Sequence, residues 1–404
     1  MQPKGTYATY CVPPLEAVAF GRGALAYIDA ILQSLAAKRV FAITTRSVAR
    51  SRGLARLKGI VGSRLCGVFT ETKAHVPESA VFAATEEVKR SGADTLVSVG
   101  GGTATDTTKD CNLLLASGAK AWSDLAPLIT PRQRRSAVSA FETVRVSGPV
   151  LPHIAIPTTL SGGEFTFSAS MKHEESRSKQ LFIYYNLAPR FVILDPELTL
   201  ETPSDLWLSS GVKAIDHCVE TLYSNDRQPV TEAMAQAGLA ALVTHLPRST
   251  GDPVDLEVRG HCQTGAWLAI FGIMNVRLGL SHAIGHQVGA RWGVPHGVTS
   301  CLTMPAVIEF NAKEAGVRMH QIAHCMSLRA GPREDPQTVG SRVARTLRKL
   351  IRSMGLPTRL REIGADRRDF PAVAEHVLDD PLMASNPRRV ERAEEILPLL
   401  DAMW

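Results

Sequence analysis

Four histidines and a lysine carry the strongest chemical signal in this chain. The segment Gly211-Val212-Lys213-Ala214-Ile215-Asp216-His217-Cys218-Val219-Glu220 reads as helix and places Lys213 and His217 at i and i+4, on one face. Further on, Leu280-Ser281-His282-Ala283-Ile284-Gly285-His286 repeats that spacing with two imidazoles, and His296 follows after nine more residues in Val294-Pro295-His296-Gly297. Imidazole is the commonest protein metal ligand and the usual acid or base near neutral pH. A single histidine in an apolar helix is ordinarily a core or surface residue. Four in Gly-rich apolar settings point to metal binding or proton transfer, so Lys213, His217, His282, His286 and His296 are the candidate catalytic residues. Lys213 has a plainer alternative, a side chain turned away from the pocket and ion-paired with Asp216 or Glu220.

A second signal lies upstream. Val97-Ser98-Val99 runs into Gly100-Gly101-Gly102-Thr103-Ala104-Thr105-Asp106 and then a helix. Glycines let backbone approach a ligand closely, and the free N–H groups of a helix start suit a pyrophosphate. The pattern is neither GxGxxG nor a P-loop, and by itself it could be only a tight turn. The segment Ile156-Pro157-Thr158-Thr159-Leu160-Ser161-Gly162-Gly163-Glu164 also leaves a strand and offers hydroxyls and glycines. Two such loops on one sheet suggest a dinucleotide across the strand ends. Where a carboxylate would hold a ribose 2′-OH, the sequence reads Thr44-Thr45-Arg46. That leaves NADH or NADPH open and leans towards the 2′-phosphate of NADPH.

The elements that must position these residues divide the chain in two. Strand-like runs at 39–44, 95–99, 153–156 and 190–194 alternate with helical patterns at 78–91 and 107–116. Such alternation predicts a doubly wound, mostly parallel sheet that binds ligands at its carboxyl strand ends. Beyond Asp195-Pro196, helical periods dominate at 205–223, 231–245, 256–272 and 338–354. The expected architecture is an α/β dinucleotide-binding domain over 1–197 and an all-helical catalytic domain over 198–404, with the site in the cleft between them. The polar stretch 123–148, with Pro131-Arg132-Gln133-Arg134-Arg135, reads as an exposed excursion.

Composition excludes several classes. The 404 residues are 45% hydrophobic and 21% charged, which rules out wholesale disorder and fibrous architectures. The longest uncharged apolar run, 265–274, is about half a bilayer span. With no signal-like N-terminus, the expectation is a cytoplasmic protein with no membrane partner. Seven scattered cysteines without CxxC spacing argue for small buried residues over disulfides or a thiolate zinc site. A net charge of +6 is mild, and Arg342, Arg345, Arg348 and Arg352 read as the wet face of a helix, not a nucleic-acid patch.

The motifs GGG-TAT-D-TT-K, PTT-x-SGGE, LDPEL, GVKAIDHCVE and LSHAIGHQVGARWGVPHG together resemble the iron-containing (group III) alcohol dehydrogenases, over most of residues 17–310. Within that family the PTT and AIDHCVE regions look closest to the maleylacetate reductases. The resemblance implies hydride transfer between a nicotinamide and a small carbonyl or alcohol. It also implies cofactor contacts from Gly100, Gly101, Gly102, Thr103, Asp106, Thr158, Thr159 and Lys179, and a homodimer acting on a small-molecule substrate.

The family's divalent ion is held by one Asp and three His. Carried over, the three are His217, His282 and His296, His286 lies by the nicotinamide, and Lys213 stands at the Asp position. An ammonium offers no lone pair while charged and repels a cation. The expectation is therefore chemistry without metal, with Lys213 polarising the reacting oxygen, the three ligand-type histidines completing the donor set and His286 relaying a proton. Three alternatives stay open: a metal-dependent alcohol dehydrogenase, a cyclase of dehydroquinate-synthase type and a non-catalytic dinucleotide-binding protein. Arg291 is a candidate carboxylate contact or a surface residue.

Overall fold

The short β-branched runs form a sheet because their side chains can be buried on both faces. A computed structural model describes residues 9–130, 145–176, 178–252 and 254–404. Its strands are β1 (Ala17–Phe20), β2 (Val40–Thr44), β3 (Leu65–Phe69), β4 (Thr95–Gly100), β5 (His153–Pro157), β6 (Ser168–Lys172), β7 (Lys179–Ile183) and β8 (Phe191–Leu194). Six form one parallel sheet in the order β1-β8-β5-β4-β2-β3, while β6 and β7 make a separate antiparallel hairpin. The four anticipated strands are the interior ones, buried at every position. The added edge strands β1 and β3 are short, and β3 shifts register against β2 between Leu65 and Gly67, where a Cβ would meet the Phe41 ring at 2.4 Å.

Helices α1 (Ile28–Ser34), α2 (Arg52–Val61), α3 (Glu78–Ser91), α4 (Gly102–Ser117) and α5 (Trp122–Leu125) accompany the sheet. Beyond α5, the excursion expected at 123–148 falls largely outside the described residues. The helical half comprises α6 (Ser204–Tyr223), α7 (Pro229–His245), α8 (Arg248–Gly251), α9 (Leu256–Phe271), α10 (Leu280–Trp292), α11 (His296–Ala315), α12 (Arg318–Cys325), α13 (Pro336–Ser353), α14 (Phe370–Leu378) and α15 (Leu397–Met403). No single described helix is long and apolar enough to cross a membrane.

Helix α6 is the axis of this half. Every residue from Trp207 to Tyr223 is buried, and Val212, Ile215, Val219 and Leu222 join one core with Leu239, Leu242, Ile308, Val343 and Leu347. A helix enclosed on all sides is normally apolar all round. Here Lys213, Asp216, His217 and Glu220 break that rule along one stripe of α6, and buried polar groups of this kind need partners or a purpose. The arginines of α13 behave as expected: Val343, Leu347 and Ile351 are buried, while Arg342 pairs with Glu334 at the surface. Five cysteines are buried, Cys66 and Cys325 are half-buried, and all seven are unpaired.

Candidate active site

Two loops meet at the carboxyl ends of β4 and β5. These strands are neighbours in register through Gly100 and Pro157, and the Thr158 N–H donates to the Gly100 carbonyl at 2.9 Å. Gly100 holds a φ of +145°, which a side chain would oppose, and α4 starts two residues later with its free N–H groups facing the strand ends. A Cβ at Gly101 would lie 3.0 Å from the Thr159 side chain, so the two loops form one continuous cradle. Gly100, Gly101, Gly102, Thr103, Thr158 and Thr159 are thus brought together.

Asp106, one turn into α4, accepts from Ser170 Oγ at 3.2 Å, which ties the cradle to the hairpin. Lys179 opens β7 and is exposed, and its charge reaches His296. Lys109 escaped the sequence reading. Its fully buried ammonium donates to Gly163 O at 2.5 Å, Ser168 O at 2.9 Å and Thr166 Oγ1 at 3.0 Å, fastening the second loop to α4.

The carboxylate missing from the Thr44-Thr45-Arg46 segment is supplied from elsewhere in the chain. Arg46 Nε donates to both oxygens of Glu71, at 2.8 Å each. Glu71 follows β3, an edge strand invisible in the sequence pattern, so the pairing could not be foreseen. Arg291 is likewise taken, paired with Asp369 at the surface, which removes it as a free carboxylate contact.

The histidines converge as predicted, because three helix segments cross at one point. His217 on α6 stacks on His282 of α10 with ring centroids 5.0 Å apart. His282 meets His296, the first residue of α11, edge-on at 6.2 Å, and His296 stacks on His286 at 5.8 Å. Gly297 lets α11 start this close to α6, since a Cβ there would sit 2.7 Å from the Ser209 carbonyl carbon.

Glu220 fixes α10 from α6. Its carboxylate accepts from the Gly279 N–H at 3.0 Å and the Ser281 N–H at 2.8 Å, satisfying donors that a helix start leaves open. It also receives His282 Nδ1 at 2.6 Å. Assigned from these partners, Nδ1 carries the proton and Nε2 keeps its lone pair. Asp216 Oδ2 accepts from Ser281 Oγ at 2.9 Å and Ser300 Oγ at 2.6 Å.

Lys213 lies in the middle, 4% exposed, with no hydrogen-bond partner for Nζ. Among the described residues no ion pair joins it to Asp216 or Glu220, so the plainer alternative for this lysine does not hold. His217 Nδ1, His282 Nε2 and Asp216 Oδ1 are also buried and unpartnered. Four open polar atoms among residues of one interhelical junction form a seat for a polar group, because leaving each unmade costs about 1–3 kcal/mol.

Burial pulls the Lys213 ammonium down to about 8, against the Asp216 and Glu220 carboxylates, which favour its charge. Burial, then the Glu220 charge, pushes Asp216 up to about 7. Burial, followed by neighbouring cationic charge, holds His217 and His282 well below the usual imidazole range. His296 is exposed at the head of α11 yet is also held low, first by the Lys213 charge and then by lost solvation; its exposure makes the charge the cause that counts. The geometry thus offers one cation ringed by neutral imidazoles.

Such a ring presents one positive charge and open imidazole nitrogens to whatever occupies the junction. Lys213 puts an ammonium where the family's ion takes its carboxylate, and an ammonium offers no lone pair while charged and repels a cation. The only metal-sized donor set among the described residues is Asp216, Glu220 and His282. Within it the Glu220 carboxylate already holds backbone N–H groups and His282 Nδ1, while Asp216 Oδ1 and His282 Nε2 stay open.

Comparison with known proteins matches this frame end to end. The model of the iron-containing alcohol dehydrogenase family matches residues 16–196, and that of the Fe-containing alcohol dehydrogenase family, C-terminal, matches residues 207–404. The chain belongs to the iron-containing alcohol dehydrogenase family. It is 30% identical to a maleylacetate reductase of Burkholderia cepacia over 375 residues, covering 93% of this chain and 92% of that one. It is 27% identical to an NAD-dependent methanol dehydrogenase of Bacillus methanolicus, covering 94% and 95%. The crystal structure of maleylacetate reductase from Agrobacterium tumefaciens superposes with a TM-score of 0.80 at 26% identity, covering 100% and 99%. The protein is accordingly an NAD(P)-dependent oxidoreductase on the maleylacetate reductase-like side of the family, moving hydride between the nicotinamide and a carbonyl compound.

Proposed function

We propose that this protein reduces a small oxo acid or aldehyde with NADH or NADPH and does so without a metal ion. The observation that carries the reading is Lys213 Nζ, buried and unpartnered at the family's Asp position, beside the open nitrogens of His217 and His282. Hydride passes from the nicotinamide to the carbonyl carbon, the C=O π pair moves onto oxygen, and the oxygen takes a proton. Products are the alcohol and NAD(P)+. In this reading Lys213 stabilises the forming oxyanion, the imidazoles of His217, His282 and His296 complete its surroundings, and His286 relays the proton from solvent. The maleylacetate reductases among its relatives support an oxo acid, and the exposed Lys179, whose charge is felt at His296, offers a cation for a carboxylate.

The test is NAD(P)H oxidation with a panel of 2-oxo acids, 4-oxo dicarboxylates including maleylacetate, and aldehydes, before and after exhaustive chelation. Turnover that survives chelation is expected. Turnover abolished by chelation and restored by ferrous or zinc salts would establish the metal-dependent reading, which the three convergent histidines favour. As to surroundings, the same reading keeps a cytoplasmic homodimer with no nucleic-acid or membrane partner.

Cofactor choice follows from Arg46. Glu71 neutralises it, which tempers the lean towards NADPH drawn from the sequence. Glu71→Gln releases the guanidinium, and the ratio of kcat/KM for NADPH over NADH rises by about tenfold, the worth of one charge-assisted hydrogen bond. An unchanged ratio would show that Arg46 does not meet the 2′-phosphate.

A further inference from the structure

His286, like His296, is exposed, but its ring is not free. Its Nδ1 lies 2.8 Å from Asp380 Oδ2, a carboxylate 94 residues further along the chain. Asp380 is not loose either. It caps the short turn Pro381–Ser385 through Oδ1, which accepts from the Leu382 N–H at 3.0 Å. That turn is bolted to the catalytic helices: Ser385 Oγ donates to the Leu278 carbonyl, and Asn386 Oδ1 accepts from Leu280 N at 3.2 Å and Asn311 Nδ2 at 2.8 Å. The Asp380 side chain is only 10% exposed, whereas His286 is 43% exposed and packs flat on His296, 9° from parallel.

We propose that Asp380 is the positioning residue for His286, its carboxylate holding the proton on Nδ1 so that Nε2 presents its lone pair for proton transfer. The inference rests on the relay role given to His286 above. A carboxylate can only accept, so Nδ1 must be the donor and Nε2 is left as the acceptor when the ring is neutral. No other described side chain competes for Nε2. A ring free to rotate or to switch tautomer would also present an N–H where the lone pair is needed and delay each proton passed from solvent to the site. A rigid, nearly dry carboxylate suppresses both alternatives, in the manner of outer partners that orient functional histidines.

Asp380→Asn tests this with little change of shape. The amide oxygen still caps Leu382, but the amide NH2 now faces Nδ1 and demands a lone pair there, which drives the proton to Nε2. Asp380→Ser is the companion variant: serine is a good cap and releases the ring. In 15N-histidine NMR spectra of the holoenzyme, with the His286 signal identified by its loss in His286→Gln, the wild type should show the Nδ1–H tautomer. Asp380→Asn should show Nε2–H, and Asp380→Ser a mixture. For carbonyl reduction, kcat should fall by about tenfold to a hundredfold in Asp380→Asn with the cofactor KM unchanged. The Asp380→Asn/His286→Gln double variant should be no slower than His286→Gln alone.

Tautomer and kcat both unmoved in Asp380→Asn would overturn the inference, as would a double variant slower by the product of the single losses. If His286→Gln itself keeps full turnover, the relay reading has failed instead, and the tautomer still reports separately whether Asp380 sets the ring.

Discussion

Lys213→Met is expected to lower kcat for carbonyl reduction by about 10²–10³, the usual cost of removing one oxyanion-stabilising donor. Methionine fills nearly the same volume without charge, so the buried junction keeps its packing while the forming alkoxide loses its counter-charge. Stability should not suffer in proportion. The ammonium is buried with no hydrogen bond, an arrangement that costs the folded state free energy, and its removal lifts that cost. Asp216 and Glu220 lose a neighbouring cation, but burial already lifts Asp216 to about 7, so it can take up a proton in exchange. Thermal unfolding should therefore shift by no more than about 5 °C in either direction.

The pH profile separates this role from a structural one. Lys213 acts in its charged form, and burial lowers its pKa from 10.5 to about 8. The charged form is populated below that value and lost above it, so wild-type kcat should decline as pH rises through about 8. That alkaline limb should be missing in Lys213→Met. Full turnover in the variant, or an unchanged limb, would mean the ammonium has no part in the reaction.

Lys213→Asp should convert the junction into a metal site. The carboxylate joins the imidazoles of His217, His282 and His296 to give the one-Asp, three-His set of the resemblance. Without an ion it also adds a third acid to the buried stripe that already holds Asp216 and Glu220, and like charges in a low dielectric repel strongly. The apo variant should therefore unfold at lower temperature than the wild type. Zinc at about a thousandfold over its Kd should return about 4 kcal/mol, because an ion that binds only the folded chain stabilises by mass action. Calorimetry with and without zinc, beside metal analysis of the purified protein, measures both effects. A wild type that itself retains near-stoichiometric iron or zinc, with the same thermal gain, would show that Lys213 does not exclude the ion.

Much of the site was legible because its information is local. Helical geometry puts Lys213 beside His217 and His282 beside His286 wherever the helices end up, and α6 and α10 form where their spacing places them. The glycine turn after β4 and the Pro157-Thr158-Thr159 loop after β5 were readable for the same reason: each is a strand running directly into a loop. The interior strands announced themselves as continuous apolar runs. The edge strands β1 and β3 did not, because four or five residues with a glycine or a half-exposed face become strands only when a neighbour pairs with them.

What the sequence determined by itself was therefore the kinds of groups available, their spacing along each helix, and the two loops that cradle a dinucleotide. Tertiary structure alone decided their pairings. Glu220 meets His282 across 62 residues, Asp380 meets His286 across 94, and Glu71 captures Arg46 from the end of an unforeseen strand. It also decided that the Lys213 amine lies buried without a partner among the histidines. The physical reason is range: backbone geometry fixes neighbours within about a turn, whereas contacts between helices depend on how whole faces pack, and one close approach such as that at Gly297 settles which side chains meet.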